Sequence, residues 1–161
     1  MIGTFDNTDL TGKHLLIRQD LNVPLLDGNI GSAKRIDASL PTLLQALAEA
    51  ASVTVMSHLG RPVEGEVDDT LSLKPIADYL SNALGQEVVF EDAHPSKLTP
   101  LDSGIRLLEN VRFWPGEKSN DETLAQSYAG LCDVFVMDAF GTAHRAQAST
   151  CGAGQFAPEA C

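Results

Sequence analysis

Five arginines occupy segments where an extended run gives way to a helical one, and each has polar neighbours suited to holding an anion. Arg18 opens the segment Arg18-Gln19-Asp20-Leu21-Asn22-Val23-Pro24, and Arg61 closes Ser57-His58-Leu59-Gly60-Arg61. Arg112 ends Glu109-Asn110-Val111-Arg112, Arg145 ends the run from Asp138 with His144 directly before it, and Arg35 stands just ahead of a helical pattern. Guanidinium is planar, permanently charged and matched to bidentate contact with phosphate or carboxylate oxygens. Five such groups facing each other would repel unless something anionic compensates. The chemistry they suggest is capture of a phosphorylated or carboxylated ligand. A competing account pairs each arginine with a surface carboxylate, as isolated arginines often do. That account gives no reason for five of the six arginines to gather at strand ends.

His58 and His144 lie in the same loops. A lone histidine is usually a packed or surface residue, but beside Arg61 and Arg145 each is a further donor to a phosphate. Asp20 and Asn22 alternate on one extended segment, so both can face the same crevice, one accepting from and one donating to a substrate hydroxyl. Neither histidine has metal-ligand spacing with a cysteine or carboxylate, and no zinc or iron site is expected.

The elements that must position these groups follow from apolar runs. Those around His14–Arg18, Val53–Met56, Val88–Phe90, Ile105–Leu108 and Val134–Met137 are mostly continuous, which suits strands covered on both faces. A first helix is expected with Leu40, Leu43, Leu44, Leu47 and Ala51 on one stripe and Pro41 near its start. A second runs from an N-cap at Ser72 to Gly85, and a third opens on a capping box at Ser119-Asn120-Asp121-Glu122. The stretch between Phe90 and Ile105 reads as either a short helix or an irregular crossover, and the small-residue ending from Gly152 shows no obvious element. Strands alternating with helices predict an α/β fold: three αβα layers around a doubly wound, mainly parallel sheet. In such sheets the ligand crevice lies beyond the carboxyl ends of the strands, where the arginines fall.

Composition narrows the partners. A net charge of −11 argues against nucleic acid, which needs a basic surface. No apolar run approaches the roughly 20 residues of a membrane span, and residues 1–9 lack the pattern of a signal peptide. Three cysteines, odd in number and without a CxxC pair, fit a reducing cytoplasm. Neither a GxxxxGK[ST] phosphate loop nor a GxGxxG after the first strand is present, so nothing in the sequence reads as a nucleotide site.

Four segments, Arg18 to Pro24, Ser57 to Pro62, Leu108 to Phe113 and Asp138 to Ala146, closely resemble the signatures of the phosphoglycerate kinase family, in order and in spacing. The version with Met137 before Asp138 and Gln147-Ala148-Ser149 after the His-Arg pair looks bacterial. The resemblance runs from about Leu10 to the last residue. It implies a glycolytic enzyme of two Rossmann-like lobes that exchanges a phosphoryl group between 1,3-bisphosphoglycerate and ADP, giving 3-phosphoglycerate and ATP. Residues 1–161 would be the N-terminal, 3-phosphoglycerate-binding domain, and a C-terminal domain not in this chain would hold the nucleotide with Mg2+. Carried over motif by motif, Arg61, Arg112, Arg145 and His58 would grip the non-transferred phosphate. Arg35 would be catalytic, facing the acyl-phosphate end, while Asp20 and Asn22 orient the substrate and Arg35. Leu21, Leu59 and Gly60 would complete the substrate site, with Arg18 and His144 as additional candidates.

The chain departs from the family pattern at Gln19, where an apolar residue is usual and the side chain is expected to face away from the site. It departs also at Lys34, where a small polar residue is common, and in length. The expectation is a chain that binds the glycerate but does not turn over alone, and a monomer when joined to its second lobe. Two other readings are a free-standing sensor of phosphorylated acids and a small phosphatase built on Asp138. The second lacks a DxD partner, because Ala139 and Phe140 follow.

Overall fold

Residues 5–161 are described by a computed structural model. In chain order, β1 (His14–Gln19) leads to a small hairpin, β2 (Leu25–Leu26) and β3 (Asn29–Ile30), and then to α1 (Lys34–Glu49). After these come β4 (Ser52–Met56), α2 (Lys74–Leu84), β5 (Val88–Glu91), β6 (Gly104–Leu108) and α3 (Glu122–Ala129). The chain finishes with β7 (Val134–Asp138), α4 (Ala153–Phe156) and β8 (Glu159–Ala160). All five expected strands join one parallel sheet, in the order β5-β6-β4-β1-β7-β8.

The chain builds outward from β1 in both directions, to β4 on one side and to β7 on the other. This makes the carboxyl end of β1 the switch point at which a crevice opens. Register aligns the mouths of these strands: Arg18 lies level with Met56 and Met137, and Gln19 with Asp138.

Alternation along the strands divides the core into two layers. Leu15 and Ile17 of β1 join Val53, Val55, Ile105 and Leu107 against Ile36, Leu43 and Ala46 of α1 and Ile76 and Leu80 of α2. On the other face, Leu16, Met56, Leu108 and Phe135 pack on Leu124, Ala125 and Tyr128 of α3 and Ala153 of α4. Both faces are therefore covered, which is why the strand sequences are continuously apolar.

Several expectations need correction. Helix α1 begins at Lys34, so Pro41 lies in its interior, where it withholds the N–H that Asp37 O would otherwise receive. The buried face runs through Ile36, Ser39, Leu43 and Ala46, and Leu44 is 55% exposed. Helix α2 has Leu73 at the capping position, while Ser72 Oγ accepts from Lys74 N at 3.2 Å; Gly85 ends the helix with φ 69° as expected. Helix α3 is capped by Asp121, whose carboxylate accepts from Leu124 N at 2.9 Å. Ser119 instead donates to Gly116 O, because Asn120 turns the chain at φ 55° just ahead of the helix. The crossover after β5 contains one short 3-10 turn, Pro95–Lys97.

The ending is structured, contrary to expectation. A π turn at Ala148–Gly152 runs into α4, and β8 adds a parallel strand beside β7. Gly152 is there for close packing: an added Cβ would lie 2.7 Å from the Ala125 methyl. Small residues chosen for such contacts leave no apolar periodicity to read.

Candidate functional site

The site grows from the end of β1. Asp20 Oδ1 accepts from Asn22 N at 3.2 Å, an Asx turn that holds both side chains beyond the strand. Leu21 N donates to Ser57 Oγ at 2.9 Å, and Gly60 N donates to Asn22 Oδ1 at 2.9 Å, so the loops after β1 and β4 are bolted together. A third loop, after β6, joins them through Asn110. Its amide receives Leu59 N at 3.3 Å and donates to Leu59 O and Leu71 O at 2.8 and 3.0 Å. The backbone N–H groups of Leu21, Leu59 and Gly60 are thus taken up in holding the loops, and the Leu21 and Leu59 side chains lie in the core.

Gly60 needs its lack of a side chain. Its φ is 62°, and a Cβ would meet Leu71 Cδ2 at 2.8 Å. Its carbonyl accepts from an Arg112 terminal nitrogen at 2.7 Å, which swings that guanidinium toward the second loop. Arg112 is only 6% exposed, and its buried Nε has no partner among the described residues.

Arg35 reaches across from the start of α1 and donates to Asn22 O at 2.9 Å and Asp20 Oδ1 at 3.4 Å. Asp20, Arg35, Ser39, Asp138 and Gly141 line a cleft of about 350 Å³ beside this contact. Arg61 and Arg145 are exposed. Among the described residues only two ion pairs form, Arg35 with Asp20 and Lys13 with Glu159. Pairing with surface carboxylates therefore does not account for Arg18, Arg61, Arg112 or Arg145.

The electrostatics tie the cluster together. Burial, then the positive charges of Arg18, Arg112, Arg145 and Arg35, push the His58 imidazole down to about 3. His58 is neutral at any ordinary pH. Burial also lowers Arg112, with Arg145 and Arg61 acting in the same direction and Glu117 opposing them. All five arginines thus contribute to one field, and its sign selects an anion.

Two positions differ from expectation. Arg18 belongs to β1 itself and is wholly buried. It donates to Ser149 Oγ at 3.1 Å, Gln19 O at 2.7 Å and His58 Nδ1 at 3.1 Å, beneath the cluster and not on its surface. Gln19 does not face away from the crevice. Its Nε2 donates to Asp138 Oδ2 at 3.2 Å and to Ser39 O at 3.4 Å, under the floor of the cleft. His144 is exposed and is not drawn into the hydrogen-bonded network around His58.

The supporting residues were not singled out from the sequence. Ser57, Glu109 and Asn110 stood inside recognised segments without a role. Glu109 accepts Leu73 N and Asn110 N at 2.9 and 2.8 Å and Ser72 Oγ at 2.7 Å, which fixes the start of α2 against the Arg112 loop. Glu117 and Ser149 carried no local signal, since their partners are distant in sequence.

A divalent cation does not suit this cluster, whose donors are guanidinium groups and a neutral imidazole. Among the described residues no three His, Cys, Asp or Glu side chains gather elsewhere to hold a metal.

The family model of phosphoglycerate kinase matches residues 5–161. Phosphoglycerate kinase from Legionella pneumophila (strain Lens) is 57% identical over 152 residues, covering 94% of this chain and 38% of that protein. The structure of phosphoglycerate kinase from Coxiella burnetii superposes with a TM-score of 0.93 at 44% identity, over 100% of this chain and 41% of that one. The enzyme from Pyrococcus horikoshii OT3 gives a TM-score of 0.82 at 30% identity, over 99% and 42%. The chain spans about two fifths of the length of these relatives. By its motifs, its sheet and these likenesses, the chain belongs to the phosphoglycerate kinase family.

Proposed function

We propose that residues 1–161 are the N-terminal, glycerate-binding lobe of a cytoplasmic phosphoglycerate kinase, with 3-phosphoglycerate or 1,3-bisphosphoglycerate as ligand. The observation that supports this most is the cationic cluster: four arginines around a neutral His58 and Arg61 beside Arg112, with Asp20 the only carboxylate in an ion pair with any of them among the described residues. The reaction is reversible transfer of a phosphoryl group between the glycerate carboxylate and ADP. It takes place in a monomeric protein that carries the nucleotide with its Mg2+ on a second lobe, and this lobe alone binds without turnover.

Phosphoryl transfer asks the protein for positioning and charge neutralisation more than for covalent chemistry. Arg61, Arg112, Arg145 and the Nε2–H of His58 hold the non-transferred phosphate. Their binding energy is realised far from the reacting atoms and favours closure of the lobes around the substrate. Arg35 borders the cleft with Asp20 and neutralises charge on the phosphoryl group in flight. One arginine in that role is worth about 10³-fold in rate. Asp20 and Asn22 set the direction of Arg35, through the Asp20 carboxylate and the Asn22 carbonyl.

The test is a titration of the 15N-labelled chain. With 3-phosphoglycerate, amide shifts should appear in the loops after β1, β4, β6 and β7, while ATP should move few signals. Shifts with ATP and none with 3-phosphoglycerate would overturn the proposal.

A further inference from the structure

Glu117 lies in the loop ahead of α3, outside all four recognised segments, yet it is completely buried. One carboxylate oxygen accepts from Ser149 Oγ, and the other accepts from Ser149 N at 3.1 Å. Ser149 is also fully buried, and its Oγ accepts the Arg18 Nε–H at 3.1 Å. A hydroxyl has one proton, and here it is given to Glu117, so the order of donation is fixed from Arg18 through Ser149 to Glu117.

The other end of Arg18 settles a tautomer. A terminal nitrogen of its guanidinium lies 3.1 Å from His58 Nδ1, and guanidinium can only donate. Nδ1 must therefore accept, and the ring proton resides on Nε2. Nε2 has no protein partner among the described residues, and it is not one of the sealed, unpartnered atoms. It is the free donor of the ring, set among Arg112, Arg145 and Arg35.

A wholly buried guanidinium needs a compensating charge. The largest favourable electrostatic influence on Arg18 comes from Glu117, ahead of Tyr128 and Asp20. Around the Glu117 carboxyl stand Arg18 of β1, Arg112 of the third loop, Tyr128 of α3 and Ser149 of the π turn. Glu117 also accepts Ala148 N at 3.0 Å on its backbone carbonyl, so it fastens the segment that follows Arg145 to the one that follows Arg112.

We propose that Glu117 is a positioning residue of the anion site: through Ser149 it fixes the Arg18 guanidinium, and Arg18 holds His58 with its Nε2–H free for the ligand phosphate. This rests on the anion-binding role given above. Glu117 itself touches no ligand.

The experiment reads the His58 ring nitrogens by long-range 1H–15N correlation in the ligand-free, 161-residue chain, and 3-phosphoglycerate affinity by calorimetry. In the wild-type chain at about pH 8, where Glu117, raised to about 7 by burial, is ionised, His58 should show one acceptor-type and one protonated nitrogen, the latter Nε2. Glu117→Gln and Ser149→Ala should each move the two nitrogens toward averaged, mixed-tautomer shifts and weaken binding about tenfold, the scale of one charge-assisted hydrogen bond. If Glu117→Gln does not fold, Ser149→Ala, which keeps the carboxylate, decides. Unchanged His58 nitrogens in a folded variant overturn the proposal, even if affinity falls. Failure of the wild-type chain to bind 3-phosphoglycerate defeats the anion-site reading instead, and the ligand-free tautomer still judges the role of Glu117.

Discussion

Asn22 Oδ1 accepts the Gly60 amide at 2.9 Å, and this bond closes the loop after β1 onto the loop after β4 in the middle of the cationic cluster. The same residue offers its carbonyl to Arg35, so one side chain and its own backbone align both the Gly60 and Arg35 parts of the site. Asn22→Ala should leave the sheet intact, since the residue is not part of the core. It should weaken 3-phosphoglycerate binding by roughly fivefold to tenfold, about one hydrogen bond. Calorimetric titration and far-ultraviolet circular dichroism check the two halves of this statement.

Arg35 and Arg61 are expected to fail differently in a protein that joins this lobe to its nucleotide-binding partner. Arg35→Ala should cut kcat far more than it weakens 3-phosphoglycerate binding, because the proposed role places its charge in the transition state. Arg61→Ala should mainly raise KM. Steady-state kinetics of the two variants, compared as kcat and kcat/KM, separate the roles, and equal effects on both parameters for Arg35 contradict its assignment.

The buried titrating pair makes a definite statement about pH. His58 is pushed down to about 3 by burial and by the surrounding arginines, against 6.5 for a free imidazole. As pH falls below 6.5 the unfolded chain takes up a proton that the folded chain refuses, and stability declines. Glu117 acts oppositely. Burial raises its carboxyl to about 7 from 4.5, so the folded chain keeps a proton that the unfolded chain releases, and stability from this group declines as pH rises from 4.5 to 7. Between about 4.5 and 6.5 the two contributions cancel. His58→Asn, which can still accept from Arg18, removes only the first. Its stability by urea unfolding should rise on acidification from pH 7 to 4.5, where the wild-type chain stays nearly level.

A second hollow, of about 590 Å³, opens beside β7 and β8 and is lined by Phe135, Met137, Ala143, Gly154 and Ala160. Phe140 at its rim is 86% exposed. The 161-residue chain should enhance the fluorescence of an apolar dye, and Phe140→Ser should reduce that enhancement. A wild-type chain that is fully monodisperse and leaves the dye dark would show that this surface is not a usable apolar patch.

Cysteine reactivity should follow burial. Cys151 is exposed and should react with a thiol reagent in the native chain within the mixing time of a slow assay. Cys132 is buried, and burial pushes its thiol up to about 12, so it should react only after unfolding. Peptide mapping of the labelled sites distinguishes them.

The sequence by itself determined the five parallel strands and the convergence of the arginines. Strands covered on both faces must be continuously apolar, and residues that follow parallel strands necessarily share one edge. The hairpin at β2 and β3 was not read from the sequence: Asp27-Gly28 makes its turn with φ of 51° and 78°, but so short a pair has almost no apolar pattern around it. Tertiary structure decided what each polar group does. Arg18 stands two residues before Asp20 in the sequence and looks like another surface arginine. Its register beside Met56 and Met137 puts it under the cluster, where a charge survives only with a partner. That support comes from Ser149 and Glu117, far along the chain and on separate loops. Periodicity reports which face an element buries, but a buried charge is balanced by whatever group the completed fold places beside it. Which guanidinium lies beneath the site, and which tautomer His58 adopts, could therefore be read only from the packed molecule.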